Sequence, residues 1–363
     1  MSKRFSLGLM SGTSADGLTI TLVNNKPFRT LRTKTYKYPA KLQQKILTAR
    51  DFNASQISEL SFELGKQYAN SVKKFLKETK KDIKDIFVVG SHGQTITHNP
   101  CAKTPNTLQI GEPAFMSAMG LKVVYNFRVK DMVLGGQGAP LVPFFDQYIF
   151  GKSEPKILLN IGGIANLSVT GKGVKTFGFD TGPGNSLMDT VMQSAAHKSF
   201  DRNGAVAAKG KANEKIIKKI LKHKYFSKAP PKSLDKGDFE NNFLNKYFGT
   251  VNKNNLHDVM ATLNILTART ITLAVRRFVL NKTAAKEIVV SGGGALNKTL
   301  LENISLLLPE LKVHVSDFYG IDPMAKESAA FALMATLALQ EKTNHCPEAT
   351  GAKQKTILGS ICL

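Results

Sequence analysis

The sequence predicts a mixed α/β protein built as two related domains, and three observations carry that expectation. Strand-like apolar runs alternate with helical patterns along the chain. Near the start, two apolar runs flank a glycine-bearing turn as a hairpin, and the same strand, turn, strand arrangement returns roughly 150 residues later. The 363 residues, 42% of them hydrophobic, suffice for two cores. The repetition is one of shape, with no repeated sequence.

Taken in order, Phe5 to Met10 and Leu18 to Val23 are the strands of the first hairpin, on either side of SGTSADG. Helical periodicity follows at Lys41 to Ala49 and Ser55 to Thr79, and a strand, Ile86 to Val89, ends at SHGQT. Lys156 to Ile161 and Leu167 to Val169 flank NIGGIAN as the second hairpin. A helix-rich stretch from Asp258 to Leu280 leads to a third strand and turn, EIVVSGGGALN, at residues 287 to 297. Asn297 to Leu308 and Lys326 to Gln340 read as helices, the second rich in small residues that permit close packing. The loop at Pro230 and Pro231 is the most linker-like piece.

Composition excludes several classes. No apolar run approaches the roughly 18 residues of a membrane span, and MSKRF leads into a glycine-rich stretch without a signal-peptide core, so a soluble cytoplasmic protein is expected, without membrane partners. Cys101, Cys346 and Cys362 are too scattered for disulfides or a zinc site, and His92 with His98 lacks the spacing of a helical metal pair. The charge is unusual: 50 Lys plus Arg against 27 Asp plus Glu give +23. Such a field attracts nucleic acid, anionic membrane or a phosphorylated ligand. However, the densest stretch, Lys209 to Lys232, has nine Lys and one Glu around Ile216, Ile217, Ile220 and Leu221 at helical spacing. It reads as an amphipathic helix with a solvated basic face, without the interleaved aromatics of a nucleic-acid groove.

The glycine turns carry the chemistry. Glycine lets backbone N–H groups approach a phosphate, and neighbouring hydroxyls add donors. SGTSADG offers Ser11, Gly12, Thr13 and Ser14 as donors, with Asp16 as a partner for a hydrated magnesium ion. Alone, each such turn is more often just a hairpin. Three of them, each at the end of a strand, point together to phosphate binding. There is neither a GxxxxGK[ST] P-loop nor a GxGxxG opening a helix after the first strand, which weighs against P-loop NTPases and simple dinucleotide dehydrogenases. A hairpin loop in each of two domains, facing an interdomain cleft, resembles the two-domain actin-like (ribonuclease H-like) ATPase fold.

A closer resemblance gives a substrate. The ordered strings MSGTSADG, SHGQTITH, TLQIGEP, NFRVKDMVLGGQGAPLVP, LNIGGIANLS, GFDTGPGN, VSGGGALN, KESAAFA and TGAKQKTILG resemble the 1,6-anhydro-N-acetylmuramic acid kinase family from about residue 7 to about residue 360. The resemblance implies an enzyme that takes the bicyclic anhydro sugar, water and ATP with Mg2+ and yields N-acetylmuramic acid 6-phosphate and ADP. It implies a role in cell-wall recycling and a cytoplasmic homodimer. It carries the general base onto Asp180 and nucleotide contacts onto Gly12, Thr13, Ser14, Ala15, Asp16, Gly17, Leu18 and Thr19. Further nucleotide contacts fall on Gly162, Gly163, Asn166, Gly292, Gly293 and Gly294. Gln94, Thr95, Arg128, Gly182, Gly184 and Glu327 fall near the sugar. An arginine suits the lactyl carboxylate because its planar fork donates two parallel bonds, the rival for Arg128 being an ion pair to Asp131.

The expected division is domain I at residues 1–126 with 336–363 and domain II at 127–335. Four positions depart from the family pattern: Thr19 where Asp is common, Asn126 where Asp usually precedes Phe-Arg, Ser91 for a common Cys, and SLDKGDF at 233 to 239 for a usual STGREF. The alternatives are a kinase of another anhydro sugar, a glycosidase pairing Asp180 with Glu327 without ATP, and a non-catalytic basic binding protein.

Overall fold

The computed structural model describes residues 4–13, 15–230, 232–234, 239 and 243–363. Contacts divide the chain into two compact units. One runs to Phe145 and resumes over Tyr319–Leu363, and the other is Asp146–Phe318.

In the first unit, β1 (Phe5–Ser11), β2 (Gly17–Asn25) and β3 (Phe28–Lys37) form an antiparallel meander. β4 (Ile86–Asn99) then pairs parallel to β1, and β6 (Val123–Tyr125) parallel to β4. β5 (Asn106–Ile110) hangs antiparallel on β4, and β12 (Ser360–Cys362) closes the far edge against β6. The Ala54–Glu78 helix covers this sheet. Asn53 opens it with a capping box to Gln56, and Leu60, Leu64, Tyr68, Val72 and Phe75 line its buried face at three- and four-residue spacing. Each such fully buried side chain contributes about 1.5–3 kcal/mol of transfer free energy.

The Lys326–Leu339 helix is buried on all sides from Ser328 to Ala338 and packs against β1, β2 and β4. The approach is too close for a side chain on the sheet. A Cβ on Gly8 would meet the Ser328 carbonyl oxygen, which only a glycine avoids. Hydroxyl bonds from Thr21 to Ser328 at 2.6 Å and from Ser6 to Thr336 at 2.8 Å fix the helix along the strands. The ring of Phe127 sits 5.2 Å from that of Phe331 on the same helix. By their contacts, 127–145 and 319–335 pack with the first unit, where the expected division put them in domain II.

In the second unit, β7 (Lys156–Ile161), β8 (Ile164–Gly171) and β9 (Val174–Pro183) again form an antiparallel meander. β10 (Glu287–Ser291) pairs parallel to β7, and β11 (Lys312–Val315) parallel to β10. The sheet order β9-β8-β7-β10-β11 repeats β3-β2-β1-β4-β6 of the first unit, strand direction for strand direction. The chain therefore holds one ribonuclease H-like sheet twice. The core of this unit joins Ile157, Leu159 and Ile161 of β7 to Ala268, Ile271 and Val275 of the Leu256–Phe278 helix.

That helix is long and apolar enough to cross a membrane by length and composition. With 78% of its most apolar window buried, it is the spine of the core. The lysine-rich stretch folds as a Glu214–Leu221 helix, capped by Asn213 and burying Ile217 and Ile220.

Candidate active site

The site residues lie where parallel strands end, the place where α/β sheets receive ligands. In the first unit the turn after β1 is braced from behind. Ser11 Oγ donates to Gln94 Oε1 at 2.5 Å and accepts from the Tyr38 hydroxyl at 2.9 Å, while Gln94 Nε2 donates to the Gly12 carbonyl at 3.2 Å. Gln94 is 1% exposed with both ends of its amide engaged, so it braces the turn from behind. Ala15 closes the turn with φ +54°, in the left-handed region. Gly12 is half-buried and Thr13 and Asp16 are exposed, whereas Ala15, Gly17 and Leu18 are buried. Thr19 turns its hydroxyl to Thr35 at 2.8 Å on β3. The turn can thus present backbone N–H groups and Thr13 and Asp16 side chains, while Leu18 belongs to the core. Ser14 lies outside the described residues.

Arg128 is held at two points. Its Nε donates to His92 Nε2 at 2.9 Å and its Nη1 to the Gly138 carbonyl at 2.7 Å. The expected rival, an ion pair with Asp131, is not formed. Asp131 is fully buried and takes bonds from the Gly138 N–H at 2.6 Å, the Thr350 hydroxyl at 2.5 Å and His345 Nε2 at 2.5 Å. It thereby pins the loop whose carbonyl holds Arg128. Burial lowers the Arg128 pKa against the opposing pull of Glu327 and Asp131, and the guanidinium remains a cation. Glu327 opens the Lys326–Leu339 helix. Its side chain is open to solvent by surface area, yet desolvation by surrounding protein pushes its carboxyl up against Arg128 and Lys326. A carboxylate electrostatically coupled to a guanidinium offers both an acceptor and a donor at this place. Thr95 is half-buried, with Gln109 Nε2 at 3.4 Å.

In the second unit, NIGGIAN, DTGPGN and SGGGALN converge at the end of β7. The Gly184 and Ser186 N–H groups donate to the Gly163 carbonyl at 2.8 and 3.2 Å, and the Asn185 N–H donates to that of Gly162 at 2.8 Å. A Cβ on Gly184 would meet Gly162 O at 2.3 Å, so the two turns touch backbone to backbone. Gly182 and Gly184 are buried, the former against Thr270 and Phe226. Their close approaches in this structure are to protein. Gly294 likewise packs on Ile161, while Gly162, Gly163, Gly292 and Gly293 keep accessible surface. Strand register aligns Ser291, Asn160, Asn166 and Asp180 side by side across β10, β7, β8 and β9. That polar row crosses a sheet whose neighbouring positions are apolar.

Asp180 ends the row. Its backbone N–H donates to Lys232 O at 3.2 Å and its carbonyl accepts from the Tyr225 hydroxyl at 2.7 Å. One carboxylate oxygen, Oδ2, accepts from the Leu234 N–H at 2.8 Å, and Oδ1 has no partner among the described residues. Burial raises its pKa, while the Leu234 N–H and the Lys232 cation pull it down. A carboxylate with one oxygen anchored, the other free and its proton affinity raised can take a proton from water.

Sequence reasoning missed His92, Asn160, Tyr225 and Lys232. Asn160 stood in the LNIGGIAN string, and its place in a strand end was the available signal. Tyr225 and Lys232 sit in the lysine-rich stretch, where nothing local tells a holding residue from a solvated one.

Two ribonuclease H-like sheets in one chain, each with glycine turns at its strand ends, define the actin-like ATPase fold class. Comparison with known proteins gives the rest. The family model "Anhydro-N-acetylmuramic acid kinase" matches residues 4–363. An anhydro-N-acetylmuramic acid kinase of Caldanaerobacter subterraneus subsp. tengcongensis is 36% identical over 386 residues, covering 99% of this chain and 97% of that protein. Proteins of the same name from Coxiella burnetii (strain Dugway 5J108-111) and Shewanella oneidensis are 38% and 37% identical over 368 residues, covering 99% of this chain and 98% of each. The chain belongs to the anhydro-N-acetylmuramic acid kinase family, and is a phosphotransferase acting on a small sugar.

Proposed function

We propose that the enzyme opens the 1,6-anhydro ring of 1,6-anhydro-N-acetylmuramic acid with water while phosphorylating O6 from ATP, giving N-acetylmuramic acid 6-phosphate and ADP. The observation that supports this reading best is Asp180: Oδ2 is held by Leu234 while Oδ1 has no partner among the described residues, and burial raises its affinity for a proton. In the step, Asp180 takes a proton from water as the water oxygen bonds to the anomeric carbon. The bond from that carbon to O6 breaks, O6 bonds to the γ-phosphorus, and ADP leaves.

Thr13 and the accessible N–H groups of the first turn, with Gly162, Gly163, Asn166, Gly292 and Gly293, hold the nucleotide in this reading. Arg128 takes the lactyl carboxylate, with Glu327 and Thr95 at sugar hydroxyls. Magnesium enters with ATP as part of the substrate. Among the described residues no three His, Cys, Asp or Glu side chains gather as a metal cage, and a lone exposed Asp16 fits an ion held through water. We extend the reading to a cytoplasmic homodimer acting in cell-wall recycling, as the resemblance implies.

The test is ADP release from Mg-ATP with and without the anhydro sugar, by the natural chain and by Asp180→Asn. Sugar-dependent release that the substitution lowers at least about a hundredfold supports the reaction and the base. Ring opening without ATP replaces the reading with a hydrolase, and ATP binding without turnover leaves a binding protein.

A further inference from the structure

We propose that Lys232 is a positioning residue for Asp180, its ammonium clamping the 232–234 segment so that the Leu234 N–H anchors one carboxylate oxygen, Oδ2, while Oδ1 takes no bond from any described residue. The inference deepens the reading above and rests on Asp180 being the base.

Lys232 is 7% exposed, an unusual burial for a lysine. Its Nζ donates to the Tyr225 carbonyl at 3.2 Å. Three rings surround it, with centroids at 4.6 Å for Tyr225, 5.1 Å for Phe278 and 5.8 Å for Phe179. An ammonium over aromatic faces is attracted by the ring quadrupoles, most strongly when shielded from water. The enclosure joins three pieces of chain. Phe179 precedes Asp180 on β9, Phe278 ends the long core helix, and Tyr225 belongs to the Lys224–Ser227 helix.

The same pieces hold Asp180. The Tyr225 hydroxyl donates to its carbonyl, the Lys232 carbonyl accepts its N–H, and two residues on, the Leu234 N–H meets Oδ2. Lys232 thus accepts one of these bonds at its own carbonyl, holds Tyr225, which makes the second, and lies two residues before Leu234, which makes the third. It forms no ion pair with the carboxylate. A direct pair would occupy Oδ1 and hold the carboxyl in its ionised, weakly basic state. Parking the ammonium on a carbonyl and in the ring enclosure fixes the segment without that cost to basicity.

Among the described residues, the charged and titratable groups acting on this pair are Arg277, Lys228 and Tyr225. Arg277 and Lys228 act on Lys232 and oppose its charge, Asp180 favours it, and Lys232 in turn favours the ionised Asp180. Tyr225 faces both through its ring and hydroxyl.

The test compares Lys232→Met, which fills the enclosure without the charge, Lys232→Arg, which keeps the charge, and Asp180→Asn, in ADP release across pH. The Met variant is expected to lose about tenfold or more in kcat with sugar KM within about twofold, since a misplaced base slows chemistry without loosening substrate. The acidic limb of its pH profile moves upward, because Asp180 loses both a nearby cation and an aligned N–H. Arg restores part of the rate and returns the limb toward its natural position. A Met variant with natural kcat beside an inactive Asp180→Asn overturns the inference and leaves the base intact. So does a slower Met variant whose loss matches its folded fraction and whose limb stays put. A fully active Asp180→Asn removes the base assignment itself, and this inference with it.

Discussion

Arg128 Nε donates to His92 Nε2 across 2.9 Å, and His92 Nδ1 lies 2.9 Å from the Gly93 carbonyl. A carbonyl only accepts, so the proton sits on Nδ1 and Nε2 must accept from the arginine. The tautomer is set by the chain itself. Burial and the arginine charge drive the His92 pKa down to about 3, so the ring is neutral at working pH. With Gly138 O on Nη1, two bonds fix the plane of the guanidinium and aim its remaining N–H groups.

Replacing His92 with Phe keeps a ring in the pocket beside Phe331, where the centroids lie 4.8 Å apart, and removes the acceptor. A hydrogen bond to a charged group contributes about 1.5–3 kcal/mol. The expected outcome is a sugar KM raised by about tenfold or more with a smaller change in kcat, read from steady-state ADP release. A neutral His92 also contributes no limb to the pH profile, so the profile of the variant keeps its shape.

Gly184 gives a second prediction. An added Cβ would fall 2.3 Å from Gly162 O, 3.0 Å from the Ala165 nitrogen and 3.0 Å from the Ile164 carbonyl carbon, all backbone atoms that cannot rotate away. Gly184→Ala therefore forces apart the DTGPGN and NIGGIAN turns at an overpacking cost of about 1–3 kcal/mol. Thermal unfolding of the variant is expected to shift down while Gly163→Ala, whose Cβ would meet nothing nearer than Ser186 at 3.8 Å, leaves it unchanged. Equal shifts in the two variants would contradict the packing account.

What the sequence made legible follows from burial. β1, β2, β7, β8 and β10 announce themselves because their runs are apolar and end in glycine turns. β3, FRTLRTKTYK, does not, since it is an edge strand whose residues are exposed or half-buried except for Tyr36, and it carries four basic residues. The turns and Asp180 could be found locally, as they are consecutive residues with a fixed chemistry. The holders of Asp180 could not: Tyr225 and Leu234 lie 45 and 54 positions away along the chain, and only the fold brings them in. Asn126, a departure from the family pattern, has a local cause. It stands at φ +57°, a left-handed conformation that Asn tolerates better than most residues.

Ser91, another departure, yields a stability prediction. Its hydroxyl is buried at 2% exposure and has no hydrogen-bond partner among the described residues. An unsatisfied buried hydroxyl costs about 1–3 kcal/mol, and deleting it leaves only a small void. Ser91→Ala is expected to stabilise the protein by about 1 kcal/mol in urea unfolding. A loss of similar size would mean that the hydroxyl is satisfied in solution.

Asp189, on the Ser186–Ala196 helix, carries the pH prediction. Burial alone raises its carboxyl from 3.8 to about 6. A folded-state pKa above the unfolded value means that the native protein binds this proton more tightly. The stability it contributes is complete below about pH 4 and is lost as pH rises through 6. Asp189→Asn cannot ionise and escapes that loss. Its thermal stability is expected to match the natural chain near pH 4 and exceed it at pH 8 by about 1–2 kcal/mol, after discounting for partial solvation of the helix surface. If the gain is as large at pH 4 as at pH 8, the substitution acts through packing or helix propensity and the buried charge is not its cause. If the variant is less stable at pH 8, the carboxylate has a stabilising partner in its ionised form and the desolvation account fails.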